Sequence, residues 1–320
     1  MKRKISLIVP IYNASTTIKE CLFAISNQTI NNFEVILVDD CSTDNTAKVI
    51  QKYKFKKIYL NKHGGASRAR NIGANNSTGD TLVFIDADIV LKPDSIENIV
   101  LSLSKPDTDA VSGIYTKNVP RGNFFSQFQN LFLIYRHSKL PEFTTFIFSS
   151  FCAVNRNAFE NVGGYNEKMH YYEDVEVGNR LTQNGYRSRV DASIEVTHLK
   201  HYSHLSLLCD YFRKAAAAGG YYRRNNFVKN IKGDNCPLLI KLASVSSVFI
   251  LFSLGLLKVS PYPFFLFLII YSFSISSLLF FLGAHYKLLF SLRSYIVCFE
   301  IFLVINFALF YGILFVNKND

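Results

Sequence analysis

The chain has 320 residues, a formal net charge of +11 and six cysteines. Charges are mixed with short apolar runs up to about residue 235 and become scarce after Pro237, so two solvents are implied rather than one. The cysteines (Cys21, Cys41, Cys152, Cys209, Cys236 and Cys298) form no CxxC pair, which argues against a zinc ribbon or a disulfide framework and fits a reducing cytosol.

In chain order, residues 5–11 form an apolar run behind a basic start. The run is too short for a signal peptide, is broken by Pro10 and lacks a small-residue cleavage site, so it reads as a first strand. Residues 16–26 have helical spacing, 33–38 are a second aliphatic strand, 45–54 a helix, 57–60 a short strand, 67–76 a helix and 81–85 another buried-type strand. This alternation predicts an α/β fold with a mostly parallel sheet. Ligands in such sheets bind outside the carboxyl ends of the strands. Here those ends carry residues 10–13, Asp39 with Asp40, and Asp86 with Asp88. Neither GxGxxG after the first strand nor GxxxxGK[ST] is present, so a nucleotide has to be held by side chains and a metal.

Asp86 and Asp88 form a DxD directly after a hydrophobic strand. Hard divalent ions take oxygen ligands, and Mg²⁺ binds through one or two carboxylates plus substrate phosphates, which suits a diphosphate leaving group. Asp39 is placed to accept from a uracil imide and ribose hydroxyls, while Ser42, Thr43 and Asp44 read as turn and cap formers. Residues 124, 128, 131, 132 and 135 follow helical spacing, as a core helix or one lying in a bilayer interface. Glu173 and Asp174 suit a helix N-terminus or a general base.

The stretches 6–13 (SLIVPIYN), 38–44 (VDDCSTD), 65–73 (GASRARNIG) with 78–80 (TGD), and 84–88 (FIDAD) resemble, in content and order, the motifs of family 2 glycosyltransferases. The resemblance continues through 161–167 (NVGGYNE), Glu173-Asp174 and 179–181 (NRL) to His198, about 200 residues in all. It implies a glycosyltransferase A fold in which Pro10, Tyr12, Asp39, Arg70, Asn71 and Asp86 hold a nucleotide sugar. Gly164 would let the backbone approach the donor sugar, Asp88 and His198 would hold Mg²⁺ or Mn²⁺, and Asp174 would act as catalytic base in an inverting transfer. Ala14, Ser15 and Thr16 stand where the family usually carries Glu.

After residue 235 three membrane spans are expected, at about 238–257, 260–283 and 295–316, against a catalytic domain over 1–235. Arg213, Lys214, Arg223, Arg224, Lys229, Lys232 and Lys241 precede or open the first span, and His285, Lys287 and Arg293 separate the second from the third. That bias predicts an anionic lipid leaflet rather than nucleic acid as the partner, and a multi-pass protein with its catalytic domain on the cytoplasmic side. Glu300, two turns into the third span, is expected to be wet or paired with Arg293. The expected function is transfer from a nucleotide sugar, with UDP preferred, to a lipid-linked or membrane-associated saccharide for cell-surface polysaccharide synthesis. Alternatives are a polyprenyl-phosphate sugar synthase, whose acceptor needs no base, and an inactive membrane scaffold.

Overall fold

The computed structural model describes residues 4–117, 119–120, 122–224, 238–286 and 288–316. Lys229, Lys232, Cys236 and Lys287 lie outside them. In chain order the elements are β1 (Ile5–Ile11), α1 (Ile18–Ser26), β2 (Phe33–Asp39), α2 (Thr46–Ile50), β3 (Lys56–Tyr59), α3 (Ala66–Asn75), β4 (Thr81–Ile85) and β5 (Ile89–Leu91). There follow α4 (Ser95–Leu103), β6 (Ala110–Tyr115), α5 (Phe124–His137), β7 (Phe143–Thr144), β8 (Phe151–Asn155), α6 (Arg156–Asn161), α7 (Glu173–Gln183) and β9 (Ser188–His198). Four helices close the chain, α8 (His204–Arg224), α9 (Leu238–Leu254), α10 (Tyr262–His285) and α11 (Leu288–Phe315).

Contacts divide the chain into two units, Met1–Arg121 with Leu140–Lys200 and Gly122–Lys139 with His201–Asp320. In the first, the strands lie in the order β3-β2-β1-β4-β8-β6-β9-β5, with β7 on β9. The β1, β2, β3 and β4 pairings are parallel, as the aliphatic runs predict, whereas β8 runs antiparallel to both β4 and β6. The sheet is therefore mixed. All seven residues of β1 and all five of β4 are buried because helices cover both faces. Leu7, Val9, Val83 and Ile85 point into a core with α1 and α4, while Ile8, Leu82 and Phe84 point into one with α6 and α7. Burying each such side chain contributes roughly 1.5–3 kcal/mol, so the strand ends are held on a rigid base.

The second unit holds α5 and α8–α11. The apolar face of α5 is buried through Phe128, Leu131, Phe132 and Tyr135. Two described helices, α10 with 24 residues and α11 with 28, are long and apolar enough to cross a membrane. The expected first span is shorter than predicted: α9 has 17 residues and gives way to turns at Gly255, and at 1.5 Å per residue such a helix falls short of about 30 Å of hydrocarbon. The third helix starts earlier than expected, at Leu288, and Glu300 meets His204 Nε2 at 2.6 Å rather than Arg293.

Within the second unit α8 packs closely on α11. Gly219 of α8 and Gly312 of α11 sit where a Cβ would strike Leu309 O and Ala216 O respectively, so these two helices approach at backbone distance. Two of the basic residues assigned to lipid also have partners within the chain. Lys214 pairs with Asp210 at 2.7 Å, and Arg223 Nη1 donates to the terminal carbonyls of Leu314 and Val316 at 3.0 and 3.3 Å. A cation at those carbonyls complements the negative end of the helix dipole.

Candidate active site

The parallel register sets Pro10 opposite Val38 and Ile11 opposite Asp39, so β1 and β2 end together. Tyr12, just past that end, is 45% exposed and stacks on His63 with ring centroids 3.9 Å apart. His63 Nδ1 lies 2.9 Å from the Asp40 carboxylate. The same buried carboxylate accepts from Gly64 N at 2.9 Å and Gly65 N at 2.7 Å. Asp40 thus organises a loop, and Asp39, also buried, accepts from Ser42 N at 3.1 Å. Asp44 accepts from Ser15 N and Thr46 N, as a turn former should. His63 had no sequence signal beyond its place before Gly64-Gly65. Only the fold brings it onto Tyr12.

The second group lies at the end of β4. Arg70, on α3 and 3% exposed, donates to Asp86 Oδ1 at 2.7 Å and to Glu173 Oε1 at 3.2 Å, with its guanidinium 5.2 Å from the Tyr165 ring centroid. Burial raises the Asp86 pKa and the neighbouring Asp88 adds to this, while Arg70 opposes both. The Nη atoms of Arg70 link the first acid of the DxD to the first acid of α7. Asn71 is likewise engaged within the fold, donating to Tyr165 O and accepting from Tyr165 N at 2.8 and 2.9 Å.

Asp88 has a different partner. The antiparallel pairing of β5 with β9 sets Ile89 opposite His198 and brings His198 Nε2 to 3.3 Å from Asp88 Oδ2. The imidazole stacks on Tyr115 at 4.7 Å. Burial alone would raise the Asp88 pKa, but His198 and Lys200 outweigh it and hold the carboxyl below its usual value. A carboxylate and an imidazole suit a divalent ion such as Mn²⁺. Among the described residues no group of three His, Cys, Asp or Glu donors forms. The two donors alone could hold an ion only together with oxygens from a substrate, the manner in which Mg²⁺ binds beside phosphates.

Asp174 is half-buried in the first turn of α7, its Oδ1 accepting from Val175 N at 2.8 Å. Tyr172, directly before that helix, has φ +69°, and Asn13 and Cys41 at the strand ends are also left-handed. Non-glycine residues in that region are strained, and such strain concentrates at functional sites. Arg180 holds the preceding loop: it pairs with Glu176 at 2.6 Å and donates to Val162 O and Gly164 O. Gly164 has φ +68°, and a Cβ there would lie 2.7 Å from Asn71 Oδ1, whereas Gly163 at φ +77° faces open space. Gly164→Ala should therefore cost about 1–3 kcal/mol and Gly163→Ala about 1 kcal/mol, because only the first adds a clash to the left-handed penalty. Urea titration of the two variants compares them directly, and equal costs would remove the close approach as the reason for Gly164.

Residues 6–163 match the model of the family described as "Glycosyl transferase family 2". The O-antigen chain rhamnosyltransferase RfbN of Salmonella typhimurium (strain LT2) is 30% identical over 216 residues, 62% of this chain and 68% of that protein. Glycosyltransferase GlyG of Streptococcus pneumoniae serotype 4 (strain TIGR4) is 34% identical over 131 residues, 39% of this chain and 44% of GlyG, so less than half of that relative is spanned. Among solved structures, the mannosyltransferase PcManGT from Pyrobaculum calidifontis superposes with a TM-score of 0.65 at 17% identity, covering 98% of this chain and 88% of that one. The mixed α/β sheet of the first unit thus has the glycosyltransferase A fold expected from the motifs. On its family match and its alignment with RfbN, the chain belongs to glycosyltransferase family 2.

Proposed function

We propose that this chain transfers a sugar, with inversion, from a nucleotide diphosphate donor to a hydroxyl of a membrane-associated saccharide during cell-surface polysaccharide synthesis. The observation that carries this reading is the Arg70 bridge. Through it Asp86, beside the metal-type pair Asp88 and His198, is tied to Glu173, next to Asp174. A leaving-group end and a base end are thereby joined by hydrogen bonds within one unit.

In this reading Tyr12 offers a stacking face to the base, and Asp39 accepts from an imide N–H, a group of uracil. A bound divalent ion would neutralise charge on the departing diphosphate. Asp174 takes the acceptor hydroxyl's proton, since a hydroxyl is a poor nucleophile until a carboxylate within reach accepts it. One base on the face opposite the leaving group makes the displacement single, hence inverting. Glu173 holds Arg70, and the two fix the start of α7.

The relatives point the same way in their own chemistry. RfbN is named for O-antigen chain rhamnosyl transfer, and TarS of Staphylococcus aureus for β-N-acetylglucosaminyl transfer to poly(ribitol-phosphate). PcManGT was solved with GDP-Man and Mn²⁺. Two helices of spanning length support attachment to the cytoplasmic membrane, with the sheet unit on the cytoplasmic side and anionic lipid at the basic residues.

Calorimetry with UDP and GDP, each with Mn²⁺, Mg²⁺ or chelator, tests the donor side. Asp88→Asn should weaken nucleotide and metal binding together, by about tenfold or more, because the ion joins protein to diphosphate. A variant that keeps the wild-type gain from metal would show that Asp88 is no ligand, and tighter GDP than UDP binding would reverse the choice of base.

A further inference from the structure

A cleft of about 650 Å³ lies within the second unit, between the C-terminal end of α5 and the second half of α10. Its floor is aromatic. Tyr135 is 4% exposed, its hydroxyl is hydrogen-bonded to Ser277 Oγ, and its ring lies 5.6 Å from that of Phe281. One wall is apolar and uncovered: Phe280 is 81% exposed on a helix long and apolar enough to cross a membrane. The other edge is cationic. Lys139, just past the end of α5, holds its ammonium 5.7 Å from the Tyr135 ring centroid, and among the described residues no acidic one lines the cleft.

An ammonium over an aromatic floor keeps its charge while its stem covers apolar surface. A cleft with one cation, no anion and a bare phenyl wall complements a molecule that is anionic at one end and hydrocarbon at the other. Inorganic phosphate would leave Phe280 bare, and a neutral lipid would leave Lys139 without a counter-charge.

We propose that this cleft seats a bilayer lipid with a phosphate headgroup, the phosphate at Lys139 and the first part of a chain along Phe280 and Phe281. The inference rests on the membrane reading of α10. It adds a defined lipid site to what would otherwise be diffuse attraction between basic residues and a charged leaflet. A phosphate at the ammonium and a chain on the phenyl wall are separable contributions, so they can be removed one at a time.

Native mass spectrometry of the full chain in neutral detergent, titrated with phosphatidylglycerol or phosphatidylcholine, tests the site. Phosphatidylglycerol should be retained in preference, and Lys139→Gln should reduce its retention about fivefold, the share of one lysine at an anionic surface. Ala284→Trp, which fills the cleft, should abolish retention of the tightest-held lipid while UDP binding, measured by calorimetry, stays at the wild-type level. Equal retention of both lipids by wild-type protein, or unchanged retention in both variants, overturns the site, as does full displacement by millimolar inorganic phosphate. Flotation with vesicles separates the two layers of the argument. Wild-type protein that floats yet shows no lipid preference refutes the cleft alone, whereas protein that floats with no vesicle refutes the membrane reading as well.

Discussion

Asp174→Asn is expected to lower sugar transfer by roughly 10² to 10⁴-fold while leaving donor affinity nearly unchanged, since a positioned proton acceptor typically contributes that much to a rate. The amide keeps the shape of the carboxylate and one oxygen that can accept from Val175 N, the contact seen at 2.8 Å. Helix α7 should therefore start where it does now. The measurement is transfer by the purified enzyme in nanodiscs with a saccharide acceptor, alongside calorimetry of the donor nucleotide. Donor hydrolysis is a poor substitute, because water then replaces the acceptor. Near-wild-type turnover in the Asn variant would mean that the acceptor ionises unaided, and a polyprenyl phosphate would then be the better acceptor. Glu173→Gln should cost less in rate, because Glu173 faces Arg70 rather than an acceptor.

The second large effect is on stability. Arg70→Met should destabilise the sheet unit by about 3–5 kcal/mol, the usual cost of removing one partner from a buried ion pair. The guanidinium is 3% exposed and its two carboxylate partners are 31% and 16% exposed, so the lower end of that range applies. The loss arises less from the missing attraction than from Asp86 and Glu173, whose like charges raise one another's cost, left without their cation. Adding Glu173→Gln to Arg70→Met should recover part of the loss, because removing both partners of a pair costs less than stranding one. Urea melts of the single and double variants measure this. A single-variant cost below about 1 kcal/mol, typical of an exposed pair, would mean that Arg70 does not hold the site together.

Part of this fold was legible in the sequence. Strands β1, β2 and β4 were readable because buried parallel strands are aliphatic without interruption, and α1 and α3 because their apolar residues keep helical spacing. The acids at the strand ends were readable for a local reason too, since a charged residue directly after a buried run has to lie at an edge. The antiparallel strand β8 was not readable, because its run of five residues carries no mark of which neighbour it joins. The length of α9 was not readable either: hydropathy continues through residues 255–257 while the helix stops at Leu254.

By itself, then, the sequence determined the α/β class, the family motifs, the acidic strand ends and the apolar character of the last third, all of which depend on residue type and short spacing. The tertiary structure alone decided which acids meet which cations. Arg70 lies 103 residues from Glu173, and Asp88 reaches His198 only through the β5–β9 pairing. Likewise His204 finds Glu300 96 residues away, and His63 reaches Tyr12 across the β1–β2 edge. Such partnerships depend on strand order and helix packing, which follow from burying both faces of a sheet at once and leave no trace in any short window of the chain.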